Sequence, residues 1–194
     1  NLQNPSHLYN NAGTYTVTLQ VSNGDYTKTV SKTITVLAPI TVGFSYSPGN
    51  PVVGQDVQFS NTSTGSITSY SWNFGDGSSS TLKDPVHKYS AAGNFTVTLT
   101  ATNAKGSKSK SQTITVNQSI SPSFSYSPAS PYAGQTVQFT DNSSGNPTSW
   151  SWDFGDGSVS SLQSPTHAYS SAGTYTVTLT ASNGLETKTA SKTI

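Results

Sequence analysis

The sequence has no cysteine, no methionine and no arginine, and only 9% of its 194 residues are charged. Each absence removes a class of explanation. Without cysteine there is no disulfide and no thiolate metal site, so cysteine use leaves the redox compartment unmarked. Without arginine, and with nine lysines giving a net charge of +1, there is no concentrated basic face and no guanidinium fork for phosphate. That argues against nucleic acid as a partner. No apolar run approaches the ~20 residues of a membrane-spanning helix. The chain begins with Asn1 rather than Met, as a processed or excised segment does, so the lack of a signal peptide carries no weight.

What is present points to strands. Ser and Thr make up about a third of the residues, and they alternate with Val, Leu, Ile, Tyr and Phe. Polar–apolar alternation is the pattern of a half-buried strand, and the aromatic and β-branched content argues against disorder. The expected fold class is all-β.

The chain is also a repeat. "SWNFGDGS" at 71–78 returns as "SWDFGDGS" at 151–158. "PVHKYSAAGNFTVTLTATN" at 85–103 returns as "PTHAYSSAGTYTVTLTASN" at 165–183, and stands earlier as "PSHLYNNAGTYTVTLQVSN" at 5–23. The three histidines fall at 7, 87 and 167, so the period is 80 without a gap. In that register Asn1 corresponds to position 81 and Ile194 to position 114. The expected organisation is the back half of a module at 1–38, a complete module at 39–118 and a nearly complete one at 119–194.

Within one module the strands read from alternation. Phe44 and Tyr46 share one face of a first strand that ends at Pro48. Val57 and Phe59 point inward from a second. Tyr70, Trp72 and Phe74 share a face of a third, and Phe95, Val97, Leu99 and Ala101 a face of a long fourth. Ile114 and Val116 close the last. Six or seven short strands punctuated by Gly, Pro, Asn and Ser predict an antiparallel β-sandwich.

The linked set W-x-F-G-D-G, P-x-H-x-Y and G-x-[YF]-x-V-x-L-x-x-x-N resembles the PKD (polycystic kidney disease) domain. In the two full copies it falls on Trp72, Phe74, Asp76, His87 and Tyr89, and on Trp152, Phe154, Asp156, His167 and Tyr169. The resemblance implies tandem immunoglobulin-like sandwiches. Such modules occur in animal polycystins, in archaeal surface-layer proteins and as accessory parts of secreted collagenases and chitinases. Near-identical, cysteine-free copies are most similar to the archaeal surface arrays.

Each candidate site has a structural and a functional reading. Asp76 and Asp156 sit between glycines where a strand reverses, and a carboxylate there accepts turn amides. The functional alternative, implied by collagenase modules of the family, is calcium on Asp153 and Asp156, or on Asn73 and Asp76; calcium takes six to eight oxygens, and no denser run of acids is present. The histidines have no neighbouring cysteine and no nearby acid that repeats, so packing with a backbone hydrogen bond is the expected role. Trp72 and Trp152 match the core Trp of immunoglobulin-like folds, while Tyr70 and Trp150 fall at an edge and could offer a sugar platform. Tyr15, Phe95 and Tyr175 occupy a tyrosine-corner position that Phe95 cannot complete. Lys28 and Lys32, Lys105, Lys108 and Lys110, and Lys188 and Lys192 read as protection of an exposed sheet edge, or as a patch for anionic glycans. Asn61, Asn94, Asn117 and Asn142 begin N-glycosylation sequons.

No catalytic set repeats, and no cofactor is implied. The expected role is a non-catalytic structural or adhesive region of an extracellular cell-surface protein, of surface-layer, sheath or filament type. Short links at 37–40 and 117–121 would make it a semi-rigid spacer, with other protein modules, copies of itself or envelope glycans as partners. The alternative is an accessory substrate-binding region of a secreted chitinase or collagenase. The register further predicts an upstream W-x-F-G-D-G whose Trp lies nine residues before Asn1, as Trp72 lies nine before Thr81; the sequence of the parent gene checks it.

Overall fold

A computed structural model describes residues 2–194. Among them are sixteen β-strands and no helix, and so no helix long and apolar enough to cross a membrane. Strands β1 (Gly13–Ser22) and β2 (Thr27–Val36) form a two-stranded antiparallel ribbon. Seven strands follow: β3 (Phe44–Ser47), β4 (Asp56–Asn61), β5 (Ser69–Asn73), β6 (Ser79–Ser80), β7 (Val86–Lys88), β8 (Gly93–Asn103) and β9 (Gly106–Val116). The same seven recur as β10 (Phe124–Ser127), β11 (Thr136–Asp141), β12 (Ser149–Asp153), β13 (Val159–Ser160), β14 (Thr166–Ala168), β15 (Thr176–Ser182) and β16 (Thr187–Thr193). Each set of seven makes a three-stranded and a four-stranded sheet, ordered β3-β4-β7 with β6-β5-β8-β9, and β10-β11-β14 with β13-β12-β15-β16. The fold is a tandem of immunoglobulin-like β-sandwiches: the alternation predicts the sandwich, and the family resemblance implies its immunoglobulin-like form.

The chain gathers into two compact units. One takes the chain up to Tyr46 together with Gln58–Val86 and Thr96–Thr113; the other takes Ser47–Val57, His87–Phe95 and Ile114–Ile194.

In the second unit the core of the third repeat is one aromatic cluster. Period-2 alternation turns Val137 and Phe139, Trp152, and Val177 and Leu179 inward from three strands, and all five are fully buried. Trp152 meets Phe124 edge-on at 5.0 Å, meets Phe139 at 5.6 Å and lies parallel to Phe154 at 6.5 Å. Its indole N–H, which burial would otherwise strand, donates to the Leu162 carbonyl at 2.9 Å. The first unit repeats this arrangement: Trp72 packs on Phe44 and Phe59 at 5.1 and 5.4 Å and donates to the Leu82 carbonyl at 2.9 Å.

The ribbon shows the same sequence without that cover. Val17 and Leu19 are 45% and 58% exposed, whereas Val97 and Leu99, which occupy the corresponding positions of the second repeat, are fully buried. The inward face is written into the strand, but burial requires an opposing sheet.

The lysines of β16 do more than guard an edge. Lys192 reaches the Phe124 carbonyl on β10 and lies 5.3 Å over the Phe124 ring, joining the edges of the two sheets. The ammonium thus finds a carbonyl and an aromatic face together. Edge protection alone does not describe it.

Because Trp152 contacts three aromatic rings and fills the centre of the sandwich, Trp152→Ala is expected to cost about 3–5 kcal/mol of unfolding free energy. Denaturant unfolding of the variant against the parent chain, followed by far-UV circular dichroism, measures it.

Candidate functional site

The W-x-F-G-D-G segment is a strand running into a tight reversal. The Phe154 amide donates to the Ser158 carbonyl at 3.1 Å, and Trp152 and Asp153 then pair with Ser160 and Val159. Gly155 has φ of 80°, and a Cβ there would stand 2.6 Å from the Thr176 carbonyl oxygen. Only glycine fits that approach. Gly75 is constrained in the same way against Thr96, at 2.7 Å with φ of 84°. Position 157 needs glycine for its φ of 90° alone, since nothing crowds its Cβ.

The acids of this loop are engaged internally. Asp153 Oδ1 accepts the Gly155 amide at 2.9 Å, and Asp156 Oδ1 accepts the Ser158 amide at 2.9 Å. In the second repeat Asn73 accepts from Gly75 at 2.8 Å, and Asp76 from the Ser78 amide and hydroxyl at 3.0 and 2.5 Å. These are the calcium candidates, and each closes a local turn. Among the described residues no group of three or more His, Cys, Asp or Glu side chains gathers to hold a metal.

The histidine differs from its expected role. His167 Nε2 lies 2.8 Å from Asp156 Oδ2, so its partner is a carboxylate rather than a backbone group. An acid that orients the imidazole does exist, in the neighbouring motif, eleven residues away in the chain. The His167 ring stacks parallel on Phe154 at 4.3 Å and meets Tyr169 edge-on at 4.7 Å. Tyr169 donates its hydroxyl to the Phe154 carbonyl at 3.1 Å and stacks on Tyr175 at 4.2 Å. Burial, reinforced by the Asp156 charge, pushes the Tyr169 phenol up to about 12. For Asp156, partial burial pushes the carboxyl up, but the Ser158 amide, the His167 ring and the Ser158 hydroxyl outweigh it and hold the group below the usual carboxylate range. Chemically the arrangement orients: one carboxylate oxygen holds the turn and the other the ring.

In the second repeat Trp72, Phe74 and Tyr89 are buried, while Asp76 is exposed and His87 half-buried, meeting Tyr89 edge-on at 4.6 Å. Tyr89 stacks on Phe95 at 4.4 Å. Tyr15 and Tyr175 do form tyrosine corners, donating to the Asn11 and Ser171 carbonyls at 2.9 Å. Phe95 keeps only the packing half of that role.

Trp150 is half-buried, and its indole N–H donates to Asp141 Oδ2 at 2.8 Å, beside Gln163 Nε2 at 3.2 Å. Asp141 is raised by burial but lowered further by bonds from Ser143, Gln163 and Trp150, for a net fall. That bond fixes the edge of the indole within the module. Sequence reasoning missed this pair, although a signal existed: the two positions change together, from Asn61 with Tyr70 to Asp141 with Trp150.

The four sequon asparagines separate by burial. A glycan attaches through Nδ2, and that of Asn61 is buried without a hydrogen-bond partner. Asn117 is half-buried and donates to the Pro51 carbonyl at 3.3 Å. Asn94 and Asn142 are exposed, with Asn142 Nδ2 donating to Ser125 Oγ at 3.0 Å at the surface.

The sign of the Asp156 shift sets an acid dependence. A carboxyl lowered in the folded state contributes stability above its unfolded value, near 3.9, and loses it as pH falls through the folded value. Asp156→Asn is therefore expected to lower the melting temperature at pH 7 and to flatten the fall in stability below about pH 4. Thermal melts of both proteins from pH 2.5 to 7 read both effects.

Comparison with known proteins bears on this geometry. The PKD domain family matches residues 41–118 and again residues 123–194. Collagenase ColA of Bacillus cereus is 42% identical over 57 residues, which is 27% of this chain and 6% of that protein. Pre-pro-metalloprotease PrtV of Vibrio cholerae is 46% identical over 55 residues, 27% of this chain and 6% of that protein. The chain thus spans about 6% of the length of these relatives. Among solved structures, the PKD1 domain of the Vibrio cholerae metalloprotease PrtV is 42% identical, covering 39% of this chain and 93% of that one with a TM-score of 0.34. The two tandem matches hold the Trp, Gly-Asp-Gly, His and Tyr positions described above, and the chain belongs to the PKD domain family.

Proposed function

We propose that this chain is a non-catalytic structural and adhesive repeat region of an extracellular cell-surface protein, with PKD modules at 39–118 and 119–194 and the back half of one at 1–38. It acts as a semi-rigid spacer that meets other protein modules or envelope glycans. One observation carries the reading: the repeated polar residues spend their bonds inside the module. Asp156 holds its own turn and His167, Tyr169 holds Phe154, and Trp152 holds Leu162. What repeats is therefore geometry.

The link at 117–121 is hydrogen-bonded at both ends. Asn117 accepts the Val53 amide and donates its own amide to the Pro51 carbonyl, at 2.9 and 2.8 Å. Four residues on, Ser121 exchanges bonds with Ser144 at 3.0 and 3.1 Å. The exposed Asn94 and Asn142 are the sequons best placed to carry glycans.

A second reading is favoured by the relatives, which include a collagenase and a metalloprotease. In it these modules are accessory parts of a secreted hydrolase that hold its insoluble substrate. Sedimentation of the purified chain with insoluble collagen and with crystalline chitin separates the two. The structural reading expects the chain to stay in the supernatant with both; saturable co-sedimentation with either sinks it in favour of the second. Since the loop acids already close turns, the melting temperature is expected to shift by less than about 2 °C between excess calcium and excess chelator, because a ligand that binds the native state raises stability. Differential scanning calorimetry checks this.

A further inference from the structure

The third repeat holds a carboxylate that the second lacks. At the period of 80, Glu186 stands where the second repeat has Gly106. In the third repeat Glu186 Oε1 accepts from the Ser119 hydroxyl at 2.8 Å and from the Ile120 amide, and lies 3.3 Å from Lys188 Nζ. Its side chain is only 18% exposed. Burial pushes this carboxyl up, but the bonds from Ser119, Ile120 and Lys188 outweigh that and leave it lowered. A hydroxyl, an amide and an ammonium converging on one carboxylate make a built anion site.

The second repeat keeps much of this frame and omits the side chain. Ile40 corresponds to Ile120, Lys108 to Lys188, and Lys105 replaces Leu185; Pro39 stands for Ser119. At this place is a pocket of about 230 Å3, lined by Leu37, Pro39, Ile40, Lys105, Gly106 and Lys108 among others. A Cβ built on Gly106 meets nothing within 4 Å. Two lysines border the pocket and no acid lines it. At roughly 30 Å3 per water, the space corresponds to about eight waters, enough for a short acidic side chain.

We propose that this pocket binds a carboxylate in trans, taking from a partner protein the group that Glu186 supplies in cis. The occupant is an exposed Glu or Asp side chain. Leu37, Pro39 and Ile40 suit its methylenes, Lys105 and Lys108 its charge, and the loss of the Ser119 hydroxyl is offset by the second lysine. The site makes the second repeat a contact point and leaves the third self-filled.

The test is a nuclear magnetic resonance titration of the full 15N-labelled chain with acetyl-Gly-Glu-Gly-amide. Its glutamine counterpart and galacturonic acid serve as controls. Expected are saturable shifts at Ile40, Gly106 and Lys108, at least tenfold weaker with the glutamine peptide, and no matching shifts at Ile120. Lys108→Gln should weaken binding at least fivefold while leaving the Trp72 indole signal in place. Raising salt from 50 to 500 mM should weaken it in the unaltered chain, a check that needs no variant. Non-saturating shifts, equal response to the glutamine peptide, or saturation by galacturonic acid with none by the glutamyl peptide would each overturn the assignment. The outcome is independent of collagen or chitin sedimentation, so failure here and failure of the spacer reading are told apart.

Discussion

The indole N–H of the central Trp governs much of what surrounds it. A ring of that size fills a sandwich of this length, but its N–H cannot be left unpaired in an apolar core. In both full repeats the acceptor is a loop carbonyl ten residues on, Leu82 or Leu162. That bond anchors the loop that leads into the last strand of the three-stranded sheet, β7 or β14. Its far end is then held by Phe59 or Phe139 donating to the carbonyl of Pro85 or Pro165, and by Gln58 or Gln138 capping the same oxygen. One buried donor thus sets the path of a segment that carries little apolar surface of its own.

The P-x-H-x-Y motif enters where that loop ends, which explains why it travels with W-x-F-G-D-G. In the third repeat His167 lies flat on Phe154, bonded to the Asp of the same turn, and Tyr169 returns a bond to the Phe154 carbonyl. Aromatic area supplies the cohesion, and the Asp–His and Tyr–carbonyl bonds keep polar atoms satisfied at the rim. A small sandwich with a modest core gains from both. The same economy leaves these groups committed to the module.

Where the copies differ, the common frame is put to separate uses. Position 186 is Glu and position 106 Gly; position 175 is Tyr and position 95 Phe; Asp141 with Trp150 replaces Asn61 with Tyr70. None of these changes disturbs the strand order, which is the same in both repeats. They lie at rims, turns and links, where a module can acquire a contact without repacking its core.

The period, the faces of the strands and the Gly-Asp-Gly reversals at 75–77 and 155–157 could all be read from the chain. Each is local or periodic: alternation turns Val57 with Phe59, or Val97 with Leu99, to one side whatever lies opposite. The family followed from the same motifs. The sequence alone determined which residues face inward; the tertiary structure decided which partners they meet. Trp150 finds Asp141, His167 finds Asp156, Lys192 finds Phe124 and Glu186 finds the 119–120 link. These bonds join residues between 9 and 68 positions apart. No local rule aims side chains over such spans, because their approach depends on how two sheets close and where the loops cross. The ribbon of β1 and β2 shows the division plainly: its apolar face is encoded, and only an opposing sheet turns that face into a core.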